Sequence, residues 1–157
     1  MNLEVAESLR SAKNRCSELG LRFTPKREQV FLSLLRCRRA VSAYELVDLY
    51  YQDYQEKISA VTVYRVLEFL ESVKLVHKLT LANKFVVCSH ICDKDDHEII
   101  QFLICERCFR VDELDIDPSL YGQLNSNATN NGFEPQNSVL EMTCICNTCN
   151  PSQPSLG

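Results

Sequence analysis

Two pairs of cysteines, Cys105-x-x-Cys108 and Cys146-x-x-Cys149, carry the strongest chemical signal in this sequence. A CxxC turn presents two thiolates on one side of a tight loop, and two such turns complete a tetrahedral four-thiolate set of the kind that holds zinc. One CxxC alone is equally well read as a redox pair, but two of them, separated by 37 residues, are better explained by metal. The separation is too long for a simple ribbon, so a folded segment must lie between the knuckles. Cys144 is the alternative ligand in the second knuckle; the two-residue spacing of Cys146 and Cys149 suits the turn better, so Cys146 is expected. The nine cysteines are an odd number, and the N-terminal stretch MNLEVAESLRSAKNRC lacks the basic-then-apolar pattern of a secretory signal. Cytoplasmic thiols stay reduced, which favours ligation over a disulfide framework.

A second group of potential ligands is scattered: His77, Cys88, His90, Cys92, His97 and Glu113, with Asp93, Asp95 and Asp96 nearby. Leu75 to Val87 alternates in the manner of a β-hairpin. A two-residue turn on Ala82-Asn83 pairs Leu81 with Lys84 and, counting back, sets His77 directly opposite Cys88, with Cβ atoms ~4.5–5.5 Å apart. A three-residue turn would destroy that register. His90 reads as an ordinary surface histidine. His97 and Glu113 would have to come from the other half of the chain, and a cysteine with two histidines favours zinc over the harder-ligand ions manganese and ferrous iron.

The elements that must position these residues can be read from caps and periodicity. Residues 3–19 form a first helix on Leu3, Ala6, Leu9, Cys16 and Leu19, ended by Gly20. Thr24-Pro25 caps a second helix buried on Val30, Phe31, Leu34 and Leu35. Ser42-Ala43-Tyr44-Glu45 is a capping box for a third, with Leu46, Val47, Leu49 and Tyr50 as its stripe. Ser59 caps a fourth helix through about Ser72. The hairpin follows, so this half reads as a winged helix-turn-helix. Further on, Phe109–Leu114 reads as a strand, Asp117-Pro118 opens a helix stopped by Asn131-Gly132, and Ser138–Thr143 reads as a returning strand. The predicted fold class is α+β: an N-terminal winged helix-turn-helix over 1–84, a small C-terminal α/β domain with a zinc knuckle site over 85–150, and a disordered tail over 151–157.

Charge divides the chain in the same way. Residues 1–84 hold 14 Lys/Arg against 10 Asp/Glu, and residues 85–157 hold 3 against 11. A mildly basic half joined to an acidic, cysteine-rich half suits a nucleic-acid module followed by a cation-binding one. In a winged helix the second helix of the pair reads DNA, here the fourth. With Val63 at zero on a helical wheel, Tyr64 falls at about 100° and Arg65 at about 200°, so Arg65 faces away from the core. Its guanidinium suits guanine O6 and N7, and a tyrosine ring suits thymine methyls or phosphate. Tyr44, in the first turn of the third helix, is suited to backbone or bases beside a helix N-terminus that favours phosphate. The plainer alternative makes Arg65 a solvated charge and both tyrosines core.

At these residues the chain resembles the Fur (ferric uptake regulator) superfamily over nearly its whole length. Leu21-Arg22-Phe23-Thr24-Pro25-Lys26-Arg27 is similar to that family's R-x-T-P-x-R opening. Ser42-Ala43-Tyr44-Glu45-Leu46 and Thr62-Val63-Tyr64-Arg65 resemble its third and recognition helices, and the paired CxxC knuckles its structural zinc site. Within the superfamily the stretch around His77, the Cys88 after the wing, and Ile104-Cys105-Glu106-Arg107-Cys108 look most like the zinc uptake regulators. The His-His-Asp-His cluster of iron, manganese and peroxide sensors is missing; the region reads Asp95-Asp96-His97-Glu98-Ile99-Ile100. The glycine common after the first knuckle is here Phe109.

The resemblance implies a cytoplasmic homodimer joined through the acidic halves, with two zinc ions per subunit. The structural ion would lie on Cys105, Cys108, Cys146 and Cys149, and a regulatory one on His77, Cys88, His97 and Glu113. Tyr44, Tyr64 and Arg65 would contact double-stranded operator DNA, giving zinc-dependent repression of zinc-uptake genes. An iron-, manganese- or thiol-redox-responsive regulator of the same superfamily is the alternative. No apolar run is long enough to span a bilayer, so no membrane is expected. Nor is an enzyme: a zinc nucleobase deaminase needs H-x-E followed by P-C-x-x-C, whereas His97 and Glu98 are adjacent and neither CxxC follows a proline.

Overall fold

The computed structural model describes residues 3–91, 99–150 and 152. The chain forms two compact units, Met1–Asp93 and Lys94–Gly157. The first contains α1 (Leu3–Glu18), α2 (Pro25–Cys37), α3 (Ala43–Tyr54), α4 (Ala60–Ser72) and the antiparallel strands β1 (Val76–Leu79) and β2 (Lys84–Val87). The second contains β3 (Ile100–Cys105), β4 (Val111–Asp115), α5 (Pro118–Asn130) and β5 (Val139–Cys144). The predicted α+β class, helices and hairpin first and a small α/β unit second, is the one observed. No helix among the described residues is long and apolar enough to cross a membrane.

Local chemistry sets the helix starts. The side chains of Thr24, Ser42 and Ser59 accept from the backbone N–H of Arg27, Glu45 and Thr62, satisfying donors that the first helical turn leaves unpaired. Glu45 returns the contact to the Ser42 amide at 2.7 Å and completes the capping box. α4 ends where Lys74 adopts the left-handed conformation (φ 58°) and Leu75 N–H reaches Leu70 C=O at 2.9 Å. One continuous core then unites the unit, from Leu9 and Phe31 through Leu46, Tyr50, Val63 and Leu67 to Phe85 and Ile91. In α1 the buried stripe is Val5, Leu9, Ala12 and Cys16. Steps of four, three and four follow the helical period, whereas the expected Leu3-Ala6-Leu9 series drifts off it; Leu3 and Leu19 are exposed.

Two expectations about the hairpin are corrected. Its register pairs Leu79 with Lys84 and His77 with Val86, so the connection is Thr80–Asn83 rather than a two-residue turn, and His77 is not opposite Cys88. The register is decided at a distance: Val41 bridges Phe85 through backbone bonds of 3.0 and 2.8 Å, and Leu79 and Phe85 are buried. Cys88 N–H instead bonds Leu75 C=O at 3.0 Å. The slip amounts to two residues, which preserves side-chain parity, so His77 and Cys88 keep the same face as diagonal neighbours. The expected boundary after residue 84 also fails, because it cuts β2 from its partner strand. Cys88 and Ile91 belong to the first unit's core as well, and the division falls after Asp93.

In the second unit the sheet order is β4-β3-β5, with β4 antiparallel and β5 parallel to β3. α5 is the crossover between β4 and β5, capped by Asp117, with Pro118 in its first turn. β3, the central strand, was not anticipated; its signal is the apolar run Ile99 to Ile104, interrupted only by Gln101, before the first knuckle. Among the described residues the core here is thin: Ile100, Phe102, Ile104, Cys105 and Ile116 are its buried hydrophobics, and α5 buries none. The expected disordered tail over 151–157 lies, apart from Ser152, outside the described residues.

Candidate metal centre and nucleic-acid face

The end of β3 and the segment after β5 carry the two knuckles. Because these strands are parallel neighbours, with Cys105 paired to Cys144, both knuckles emerge at one end of the sheet. Each closes as a tight turn, Phe109 N–H to Cys105 C=O at 3.0 Å and Cys149 N–H to Cys146 C=O at 3.1 Å. The sulfurs of Cys105, Cys108, Cys146 and Cys149 all lie within 4.8 Å of one another. Cys108 and Cys146 Sγ are 3.6 Å apart; a tetrahedral zinc with Zn–S bonds of about 2.3 Å separates its sulfurs by ~3.8 Å. The donor set and its spacing therefore fit zinc. Cys144 is outside this group, its thiol directed to Met142 C=O.

Backbone amides prepare the thiolates. N–H groups of the first knuckle at Cys108, and then of Cys146, lower the Cys105 thiol to about 6, and the Cys146 N–H lies 3.4 Å from Cys105 Sγ. The Cys149 amide lowers the Cys146 thiol in the same way. Contact with Cys146, then with Cys108, pushes the Cys149 thiol up to about 12, because a further negative charge is disfavoured among crowded sulfurs. A divalent cation relieves that repulsion and displaces the remaining protons.

Two arginines, missed in the sequence, brace the knuckles. Arg107 in the first donates to Cys149 C=O in the second at 3.0 Å. Arg110 grips Asp112 at 3.2 and 2.8 Å and reaches Asn147 Oδ1 at 3.4 Å. Phe109, between them, has φ 59°, the left-handed backbone that glycine adopts most readily.

In the first unit, Tyr44 and Tyr64 are exposed, by 67% and 40%, so neither is a core residue. Their rings meet edge to face, centroids 6.5 Å apart at 84°. Arg65 is exposed beside them, while Val63, Val66, Leu67 and Leu70 hold α4 to the core. The outward face also carries Val61, again missed, although the same wheel that turned Arg65 outward turns Val61 with it. The hairpin is tied to the start of α3 by Glu45, which accepts from Lys84, Arg39 and the Ser42 amide. Burial opposes ionisation of Glu45, but Lys84, Ser42 and Arg39 outweigh it and hold the carboxyl at about 2.

Of the second predicted ligand set, His77 (half-buried) and Cys88 (buried) present ligand atoms within 4.8 Å of each other. Diagonal placement on one face, not direct opposition, brings them together. Glu113 lies half-buried on β4, opposite Phe102. His97, like Cys92, lies outside the described residues.

A winged helix-turn-helix followed by a small mixed-sheet unit closed by four thiolates defines a two-part, metal-dependent class of protein. The chain belongs to the ferric uptake regulator family, whose model matches residues 18–143. It is 32% identical over 143 residues to the zinc uptake regulation protein of Escherichia coli (strain K12), covering 91% of this chain and 81% of that protein. Among solved structures it is similar to a zinc uptake regulator complexed with zinc and DNA, with TM-score 0.80 and 30% identity, covering 94% of this chain and 96% of that one. It is likewise similar to the crystal structure of holo XcZur, with TM-score 0.73 and 37% identity over 92% of this chain and 97% of that one.

Proposed function

We propose that this protein is a zinc-responsive transcriptional repressor, acting in the cytoplasm as a zinc-loaded homodimer on the operators of zinc-uptake genes. The observation that carries the reading is the exposed face of α4, with Arg65, Tyr64 and the neighbouring Tyr44, in a chain similar over 94% of its length to a regulator holding zinc and DNA. Recognition helices meet base edges with their N-terminal residues; Arg65 would take a guanine and the tyrosines would pack on bases or backbone. Dimer formation is supported by the second unit's uncovered apolar side chains, Leu114, Leu120, Leu124, Phe133 and Met142, against a core too thin for a unit of that size.

Two zinc ions per subunit are part of the proposal. The four-thiolate ion would hold the second unit together. The second would use His77, Cys88, His97 and Glu113, a set supported by the family resemblance and by the borderline-soft character of imidazole and thiolate. Such an ion shifts the protein toward its DNA-competent state only through its higher affinity for that state. The test is a titration of labelled operator duplex with protein at controlled free zinc, ferrous iron and manganese. Operator binding that tracks zinc alone is expected; binding indifferent to zinc, or driven equally by iron or manganese, refutes the proposal.

A further inference from the structure

Val61 stands at the second position of α4 and is 61% exposed. The helix buries Val63, Val66, Leu67 and Leu70, so Val61 is on the side away from the core. A β-branched apolar side chain in water is neither a strong helix former nor part of the packing there. The fold assigns it no task. One turn later on the same face is Arg65, four residues on, and the adjoining Tyr64 is braced edge to face by Tyr44. The result is a small mixed patch: an apolar branch and two rings around one guanidinium.

We infer that Val61 is a sequence-reading residue whose ligand is the C5-methyl group of a thymine in the major groove. This rests on the DNA-binding reading above and adds the base class that Val61 selects. The charge beside the patch decides the occupant. An apolar helix docking here would have to strip water from Arg65 without supplying an acceptor. DNA offers guanine acceptors and phosphates to the guanidinium while presenting methyl groups to its apolar neighbours. Four residues of helix advance about 6 Å, close to two base-pair steps of about 3.4 Å. The thymine therefore lies within about two base pairs of the guanine read by Arg65.

Replacing thymine by uracil removes that methyl and nothing else, which makes the test direct. An operator is first selected from a random duplex pool with the zinc-loaded full chain, and the guanine that depends on Arg65 is located with Arg65→Ala. Each thymine within two base pairs of it is then changed to uracil, and Kd is measured at fixed salt for the wild type, Val61→Ala and Tyr64→Ala. Alanine is the better helix former and Val61 is exposed, so Val61→Ala keeps the fold. One position is expected at which uracil weakens the wild type about fourfold, the worth of one buried methyl, and Val61→Ala not at all. Uracil penalties absent at every position, or undiminished in Val61→Ala but lost in Tyr64→Ala, overturn the inference. A pool that enriches no duplex defeats the DNA-binding reading itself, and the inference with it.

Discussion

Replacing Cys105 with serine should unfold the second unit and leave the first intact. Structural zinc contributes about 10–16 kcal/mol of apparent binding free energy in small cysteine-rich peptides, and that binding energy is folding energy. A folded unit of this size retains only about 3–10 kcal/mol of net stability, at roughly 0.05–0.15 kcal/mol per residue. The apolar core cannot take over: among the described residues its buried hydrophobics besides Cys105 are Ile100, Phe102, Ile104 and Ile116, and α5 buries none. Cys105 is also the proposed ligand at the end of the central strand, and its sulfur faces the Cys146 amide. Serine cannot serve as a thiolate, so zinc affinity should drop by more than the unit can spare. The first unit keeps its own continuous core from Leu9 to Ile91 and needs no metal for it. Amide exchange followed by mass spectrometry, with zinc content measured on the same samples, separates the two. Peptides from β3 and β5 should lose protection with the zinc, while those from α2 to α4 stay protected. Slow exchange in β3 and β5 of a zinc-depleted Cys105→Ser protein would show that the four thiolates are not what holds this unit, and the reasoning would fail.

Three further outcomes are expected. Arg65→Ala should cost ~1–3 kcal/mol of operator affinity and relax preference at one guanine; a base-substitution scan by anisotropy checks it, and an unchanged preference removes Arg65 as a reader. Cys88→Ser and His97→Ala should each stay folded and retain one tightly held zinc, yet lose zinc-dependent operator binding; if both still respond to zinc, the regulatory site lies elsewhere. Lys84→Met should weaken the first unit near neutral pH by ~1 kcal/mol, a figure discounted because Glu45 is 34% exposed and screened by water. Glu45 titrates at about 2 in the fold against an ordinary 4.5, so its stabilisation is present above pH 4.5 and is lost as pH falls from there toward 2. Urea midpoints measured across that window should converge for wild type and Lys84→Met; a constant gap down to pH 2 would contradict the ion-pair account.

Much of this molecule was legible in the residues because the governing interactions are short-range. Thr24, Ser42 and Ser59 each cap a helix by bonding an amide three residues ahead, and a CxxC knuckle closes within four residues, so composition and spacing suffice. Arg65 turned outward for the same reason: one helical period, counted from the apolar stripe, decides which face is wet. The register of the hairpin was not available in this way. It depends on Val41 pairing with Phe85 from another part of the chain, a contact that no local pattern announces, and it moved His77 from opposite Cys88 to a diagonal position. The central strand β3 escaped notice because its burial alternates, with Ile100, Phe102 and Ile104 inward, while apolar Leu103 on the other face masks that alternation in the sequence. Which thiolates converge was decided there too. Parallel pairing of β3 with β5 brings Cys105 level with Cys144, and the turn that follows carries Cys146 and Cys149 to the sulfurs of Cys105 and Cys108.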